Sequence, residues 1–418
     1  MLRLSDSIDS VELVTSRSVD RGETKGPEHI ATSESGESDL SFTSNLPPVL
    51  EIIRKSVPSL CDRIRAFKPS WSWSFQNRGD VQTLFGNFAS IYAPLTYGRY
   101  FVPADSGGTL AVDFVSAPWL SLDAPIIIVL PGILGNSQSL YVTSATEYLI
   151  RLRNGPVTGY RVAVVNTRGT SGNPLSSAHL THAGMTDDLR AVVSFVRKCY
   201  PESKALFALG FSMGGALLSN YLAEEADACP IDAGFCISTV WDLEACAQRI
   251  EENYIRRLLY SYTIGTSLTR IVQAHEQLFR DAGATGLDEL LSRSAVRMSA
   301  FNDIFMSHLA GYSDTAAFAA ATSPMFRVHK IRRPCVLLNA HDDPFYGGNC
   351  LKGLRKRVRE SGYDGLALTI TKKGGHVGWL QRNRKGNIEQ WFARPVREFF
   401  DAILSEKISW QNNREKHV

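Results

Sequence analysis

The sequence predicts an α/β fold, in which a mostly parallel central sheet carries helices on both faces. From about residue 96 onward, short apolar runs alternate with longer stretches that have helical spacing. The run at 126–130 contains four β-branched residues and a leucine, a composition typical of a strand buried on both faces. The small residues at 105–108 predict a hairpin between strands at 97–102 and 109–115.

Further strands and helices follow from the same patterns. We expect strands at 161–166, 205–211, 233–240, 336–340 and 366–371. We expect helices at about 139–153, after the strand at 205–211, from Thr186 as the helix N-cap, and from about Pro395 to Leu404. Between residues 241 and 333 the alternation stops and the composition becomes helical, which predicts an insertion that covers one edge of the sheet.

The chain therefore divides into six predicted segments. These are a disordered tail rich in serine and acidic residues (1–45), an N-terminal extension packing on the core (46–95), the first part of the core (96–240), a helical cap (241–333), the second part of the core (334–404) and a polar tail (405–418). Within the extension, Trp71 and Trp73 alternate with serines, which suits either packing on the domain or a membrane interface.

Composition narrows the classes of function. The 418 residues carry a net charge of +3, which offers no strong field for nucleic acid. Seven scattered cysteines, an odd number, favour a reducing compartment over a disulfide framework. No signal-peptide core and no run of about 20 apolar residues is visible. We therefore expect an intracellular protein, either cytoplasmic or peripherally associated with a membrane.

A Gly-x-Ser-x-Gly pentad, Gly210-Phe-Ser212-Met-Gly214, follows the apolar run at 205–211 and precedes an apolar helix start. Strand, sharp turn and helix are the context in which such a pentad raises a nucleophilic serine above the sheet edge. Glycine is needed on both sides because the neighbouring backbone passes close by. The pentad predicts Ser212 as a nucleophile.

A serine nucleophile needs a base and an acid that orients the base. His376 is the best candidate for the base, because it lies in a glycine-rich loop, 373–378, just after a predicted strand. Asp342 and Asp343 follow the preceding strand, and only one of them can orient His376. We favour Asp343, since Pro344 stiffens its backbone, although the sequence leaves Asp342 open.

Two backbone N–H groups are needed to stabilise an oxyanion. One should come from Met213, directly after the serine, and the second from Ile133 in the loop after the strand at 126–130, where Gly132 allows close approach.

Two other patterns are better explained by structural roles. Arg168 follows a predicted strand, and a structural arginine is its favoured interpretation. His182 and Asp187 match His-x-x-x-x-Asp, a pattern associated with acyltransferases; we favour a role for Asp187 at a helix start.

Together these motifs resemble the YheT-like branch of the α/β-hydrolase-domain (ABHD) proteins over roughly residues 80 to 404. The matching segments are 130–137, 166–169, 182–190, 210–215, 339–345 and 374–378. The resemblance implies an α/β-hydrolase fold with a helical cap insertion and a serine esterase or lipase acting on acylglycerols, phospholipids or medium-chain esters. It also implies the triad Ser212, Asp343 and His376.

We therefore expect a carboxylic ester hydrolase that works through an acyl-enzyme and needs no metal or cofactor. The expected partner is a small-molecule lipid ester, with peripheral membrane contact as an open alternative and no nucleic acid. An acyltransferase that uses the same triad is the alternative function, and a non-catalytic binding protein is a third.

Overall fold

A nine-stranded sheet forms the centre of the protein in a computed structural model, which describes residues 11–15, 46–61, 79–88, 95–115, 117–151, 159–382 and 388–415. Its strands are β1 (Val11–Val14), β2 (Gly98–Pro103), β3 (Thr109–Val115), β4 (Ile126–Leu130), β5 (Arg161–Val165), β6 (Leu206–Phe211), β7 (Ala233–Ile237), β8 (Cys335–Ala340) and β9 (Leu366–Thr371). Their order across the sheet is β1-β9-β8-β7-β6-β4-β5-β3-β2. The six central strands, β4 to β9, pair in parallel, and β1, β2 and β3 pair antiparallel.

Helices cover both faces of this sheet. They are α1 (Val49–Ser56), α2 (Gly79–Phe88), α3 (Leu140–Ile150), α4 (Thr186–Cys199) and α5 (Met213–Glu225) before the insertion, and α14 (Gly348–Glu360) and α15 (Ala393–Glu415) after it. Along β4, Ile126, Ile128 and Leu130 join the apolar core beneath α4 and α5, and Ile127 and Val129 join the core beneath α3 and α15. This alternation confirms that β4 is buried on both faces, as a parallel strand must be.

The insertion at residues 241–333 is helical. Its α-helices are α6 (Leu243–Glu252), α7 (Tyr254–Arg256), α8 (Tyr262–Ala274), α9 (Glu276–Asp281), α10 (Leu287–Leu291), α11 (Met298–Phe301), α12 (Ser307–Leu309) and α13 (Thr315–Thr322). Two π-helical turns, Arg257–Ser261 and Asn302–Met306, interrupt the series, and two 3₁₀ turns, Pro324–Phe326 and Val328–Lys330, end it. Buried leucines and phenylalanines such as Leu290 and Phe301 form an apolar cluster in this cap, which Leu180 of the core joins. No helix in the described parts of the chain is both long and apolar enough to cross a bilayer.

A small two-stranded sheet, β10 (Leu380–Arg382) and β11 (Ile388–Gln390), and a 3₁₀ turn at Ala226–Ala228 complete the structure. The predicted hairpin is confirmed, because β2 and β3 pair from Gly98 with Phe114 to Pro103 with Thr109. Thr186 is not the N-cap of α4: it is the first helical residue, and its hydroxyl bonds Glu224 at 2.6 Å.

Both chain ends differ from the expected tails. Val11–Val14, inside the segment predicted to be disordered, pairs with β9 as an edge strand. The low apolar content averaged over 45 residues hides this four-residue segment, three of whose residues are apolar, and an unpaired edge of β9 offers it backbone hydrogen bonds. Residues 1–10 and 16–45, and the Trp71–Trp73 pattern, lie outside the described residues.

The last helix is longer than predicted. It begins at Ala393 and continues to Glu415, whereas the sequence predicted a polar tail from residue 405. The polar composition is that of an exposed helical face, and no glycine or proline ends the helix in this stretch. Lys407 also anchors it, because its Nζ lies 2.6 Å from Asp232 Oδ1.

Candidate active site

The turn between β6 and α5 holds Ser212 in a backbone conformation that side chains rarely adopt. Its φ is 52° and its ψ is −115°, and its N–H donates to the carbonyl of Ile237 at 2.9 Å. Strain of this kind persists only where the surroundings impose it. The turn leaves Ser212 at the carboxyl end of the parallel strands and at the N-terminus of α5, where the helix dipole favours negative charge.

The two glycines of the pentad allow this turn to form. A Cβ at position 210 would lie 2.6 Å from the carbonyl oxygen of Gly214, and one at position 214 would lie 2.2 Å from that of Leu130. Both contacts are with backbone, which cannot move aside cheaply. The spacing of the pentad is therefore a steric requirement of the turn.

Three predicted side chains meet at this turn. His376 Nε2 lies 2.7 Å from Ser212 Oγ, and His376 Nδ1 lies 2.8 Å from Asp343 Oδ2. Ser212, Asp343 and His376 are 8%, 0% and 7% exposed. They come from the loops after β6, β8 and β9, so the parallel strands bring residues 164 positions apart into contact. The described geometry is a continuous chain of hydrogen bonds from a carboxylate through an imidazole to a hydroxyl.

The neighbouring aspartates have different partners. Asp343 uses Oδ1 to accept the backbone N–H of Phe345 at 2.8 Å and Oδ2 to contact the imidazole. Asp342 instead accepts the N–H of Gly375 at 3.0 Å, and burial raises its pKa. Asp343 is the acid beside His376. Asp342 connects the loop after β8 to the loop after β9, the histidine loop, which carries His376.

The two expected backbone donors lie beside the serine. Met213 is the first residue of α5, and Ile133 lies in the loop after β4; both line the same cavity as Ser212. Neither N–H has a hydrogen-bond acceptor among the described residues. Gly132 permits this approach, since a Cβ there would lie 3.2 Å from Ser212 Cβ.

An apolar cavity, partly open to solvent, begins at Ser212. The core contributes Ile133, Met213 and Ala216 to its wall. The cap contributes most of the remaining apolar lining: Leu243, Ile264, Leu268, Met298, Phe301, Met306 and Phe318. Cavities with few polar groups among many apolar ones are suited to apolar ligands.

The His-x-x-x-x-Asp pattern does not form one site. His182 lines the cavity, its Nδ1 accepts the N–H of Gly184 at 3.1 Å, and burial lowers its pKa to about 4. Asp187 is exposed and pairs with Arg190 at 2.6 Å. His182 and Asp187 therefore have different partners, and His182 alone of the two lines the cavity.

Arg168 has the structural role that the sequence predicts. It is buried, and its guanidinium makes two bonds to Asp188, at 2.7 and 2.9 Å. A third bond, to the carbonyl of Gly107 at 3.0 Å, ties the loop after β5 to the β2–β3 turn.

Sequence reasoning missed three residues around His376. The N–H of His376 donates to Thr83 Oγ1 at 2.8 Å, and the N–H of Val377 donates to Ser238 Oγ at 3.0 Å. The ring of Phe345 stacks on the imidazole, with centroids 4.1 Å apart. Phe345 lies two residues after Asp343, so the same sequence motif could have identified it. Nothing in the sequence connects Thr83 with His376.

Comparison with known proteins places this geometry in a family. A family model described as the alpha/beta hydrolase fold matches residues 125–350, which is more than half of the chain. The mouse protein named Phospholipase ABHD3 is 30% identical over 314 residues, covering 74% of this chain and 72% of that protein.

Two yeast proteins (Saccharomyces cerevisiae) are also similar to this chain. One is named Monoacylglycerol lipase and is 28% identical, covering 85% of this chain and 84% of its own. The other is named Medium-chain fatty acid ethyl ester synthase/esterase 2 and is 26% identical, covering 67% of this chain and 62% of its own. With the fold and the family match, these findings identify the chain as a member of the ABHD serine hydrolases of the α/β-hydrolase fold family and as a carboxylic ester hydrolase.

Proposed function

We propose that this protein hydrolyses lipid-like carboxylic esters through a covalent acyl-enzyme, with Ser212, His376 and Asp343 as its catalytic triad. The observation that carries the proposal is the unbroken chain of hydrogen bonds from Asp343 through His376 to Ser212, which ends at an apolar cavity. In the first step Ser212 Oγ attacks the ester carbonyl and His376 Nε2 accepts its proton. Asp343 holds Nδ1 in its protonated form and stabilises the imidazolium that results.

The negative oxygen of the tetrahedral intermediate needs donors in a fixed position. We assign this role to the backbone N–H groups of Met213 and Ile133, helped by the N-terminus of α5. The imidazolium then protonates the departing alcohol oxygen, which leaves the acyl group on Ser212. Water, deprotonated by His376, attacks the acyl-enzyme and releases the carboxylic acid, and the returning proton restores Ser212.

The cavity supports a lipid-like acyl group as the substrate. Its cap wall is formed by leucine, isoleucine, methionine and phenylalanine side chains, which bind hydrocarbon without needing hydrogen bonds. The names of the relatives, a phospholipase and a monoacylglycerol lipase, point in the same direction. Acylglycerols, phospholipids and medium-chain esters are the substrate classes that we propose.

A fluorophosphonate probe tests the nucleophile directly, because it bonds covalently only to an activated serine. We expect wild-type protein to be labelled and Ser212→Ala to be unlabelled, with loss of ester turnover by a factor of about 10⁶. Ser219→Ala is the matched control, since Ser219 is buried in α5 and bonded to Cys236. Labelling of Ser212→Ala would contradict the proposal, and labelling of neither protein, with no turnover, would favour a binding protein that kept the fold.

Acyl transfer to an alcohol is the second candidate function. It is supported by the name of the similar yeast ethyl ester synthase/esterase and uses the same acyl-enzyme. Adding ethanol or glycerol to a turnover assay distinguishes the two: a transferase yields a new ester in proportion to the alcohol, whereas a hydrolase yields mainly free acid.

A further inference from the structure

Helix α2, which belongs to the N-terminal extension, lies directly against the two loops that carry Asp343 and His376. A Cβ at Gly79, the first residue of α2, would lie 1.8 Å from the carbonyl oxygen of Asp342. A Cβ at Gly375 would lie 2.4 Å from the carbonyl oxygen of Gly79, and one at Gly378 would lie 2.9 Å from Gln82 Cβ. Because these three glycines leave no room for a side chain, α2 and both loops form one closely packed unit.

Thr83 makes the polar connection within this unit. Its hydroxyl donates to the carbonyl of Gly79 at 2.7 Å, one turn earlier in α2, and accepts the backbone N–H of His376 at 2.8 Å. The side chain is 2% exposed. A hydroxyl whose proton is committed to Gly79 turns a lone pair toward His376, which fixes the direction of the contact.

The histidine loop needs such support. Val377, directly after His376, has a φ of 59°, a conformation that is unfavourable for a β-branched residue. Hydrogen bonds hold this strained segment on both sides, at Thr83 for His376 and at Ser238 for Val377. Without the first of these bonds, a buried N–H has no acceptor and the loop can relax away from Ser212.

The cap holds α2 from the other side. Arg256 Nε and Tyr260 Oη each lie 3.3 Å from Asp80 Oδ1. The ring of Tyr260 also packs on Phe345 at 5.0 Å between centroids, and Phe345 stacks on the imidazole of His376. Helix α2 therefore sits between the cap and the histidine loop, with contacts to both.

We propose that Thr83 is a positioning residue for His376: through the His376 backbone N–H, its hydroxyl holds the imidazole at hydrogen-bonding distance from Ser212. The proposal rests on the proposed function, because it concerns the same histidine. It assigns to the N-terminal extension a part in catalysis, because α2 supplies the acceptor of the His376 backbone N–H.

The test compares Thr83→Val with Thr269→Val in the whole chain of 418 residues. Thr269 is buried and also donates to a glycine carbonyl one turn earlier, that of Gly265 at 2.8 Å, so this control loses the same local bond in a cap helix. We expect Thr83→Val to lower kcat by about 10- to 100-fold with KM changed less than twofold, because a small displacement of a catalytic group has effects of this size. Thr269→Val should stay within about twofold of wild type.

Two further variants separate positioning from general packing. Thr83→Ser keeps the hydroxyl and should restore kcat to within about threefold of wild type, whereas Thr83→Ala removes it without adding a methyl beside the His376 N–H and should lose kcat as Thr83→Val does. The rate of fluorophosphonate labelling should fall in parallel with kcat, although labelling still reaches completion at Ser212.

Wild-type kcat in both Thr83→Val and Thr83→Ala would overturn the proposal. Equal losses in Thr83→Val and Thr269→Val, or no rescue by serine, would also overturn it. Failure of the proposed function has a different signature, namely a Ser212→Ala protein that is still labelled or still active.

Discussion

The loops at the sheet edge and the cap above them build their parts of the cavity by different means. At the sheet edge, hydrogen bonds of 2.7 to 3.0 Å and left-handed backbone at Ser212, Ser238 and Val377 determine where the polar atoms lie. The cap contributes mainly apolar side chains, such as Leu268 and Phe301. Directional forces hold reacting groups to fractions of an ångström, whereas apolar contacts set only volume and shape.

Backbone irregularity occurs in both regions but differs in kind. The core places single residues at unfavourable φ values next to the site. The cap has two π-helical turns, and the second of them, Asn302–Met306, brings Asn302 and Met306 to the cavity wall. Such turns are frequent at functional sites because they change the direction of side chains without ending the helix. The comparison predicts that changes in the core alter rate and that changes in the cap alter substrate preference.

Among the variants that test this comparison of core and cap, Asp343→Asn should have the largest effect. The amide cannot accept both the Phe345 N–H and the His376 Nδ1 proton as the carboxylate does, which favours the wrong imidazole tautomer. We expect kcat to fall by about 10⁴-fold with KM nearly unchanged. Asp342→Asn is the matched control and should fall less than tenfold, because an amide oxygen can still accept the Gly375 N–H. Similar losses in both variants would remove the distinction between the two acids.

The contact between core and cap at His182 can be tested through the pH dependence of the unfolding free energy. His182 contacts Phe318 of the cap, and its pKa of about 4 lies below the ordinary value of 6.5 because the ring is buried. As pH falls from 6.5 toward 4, the unfolded chain binds a proton at His182 that the folded chain does not bind. The contribution of His182 to the unfolding free energy is therefore fully present above pH 6.5 and is lost between pH 6.5 and 4. The full shift corresponds to roughly 3 kcal/mol, and partial solvent contact reduces our expectation to about 2 kcal/mol.

Urea unfolding of wild type and His182→Phe across pH 4 to 7 measures this contribution. The variant lacks the titrating ring, so its unfolding free energy should decline less as pH falls from 6.5 to 4. Loss of the Gly184 contact changes the unfolding free energy equally at every pH, so it does not affect this comparison. Parallel pH curves for the two proteins would mean that His182 is as easily protonated in the folded chain as in the unfolded one.

The smallest expected effect concerns the cap alone. Leu268→Trp fills part of the cavity wall and should lower the ratio of kcat/KM for a long-chain ester to that for an acetyl ester by about tenfold. Leu268→Ala adds space and should not lower this ratio. Leu290→Ala, in the apolar cluster of the cap but not on the cavity wall, should lower stability by about 2–5 kcal/mol and leave the ratio unchanged. An equal loss on both esters in Leu268→Trp would show that the cap also controls the chemistry.

Much of the core could be predicted because its signals are local. The pentad around Ser212 is a steric requirement of five consecutive residues, and the β-branched composition of the run at 126–130 is typical of a strand buried on both faces. The chain order of serine, acid and histidine then follows from parallel strands, whose carboxyl ends meet at one edge. The catalytic roles of Ser212, Asp343 and His376 stay a proposal, although the structure brings their side chains into contact.

What the sequence alone determined was the set of elements and the candidate groups, since strand burial, sharp turns and loop glycines are properties of short segments. Only the tertiary structure decided which of two adjacent carboxylates turns to the imidazole, that Val11–Val14 completes an edge of the sheet, and that Thr83 supports a histidine 293 positions away. These outcomes depend on which backbone groups remain unpaired once distant segments pack, and that condition is not written in any local pattern.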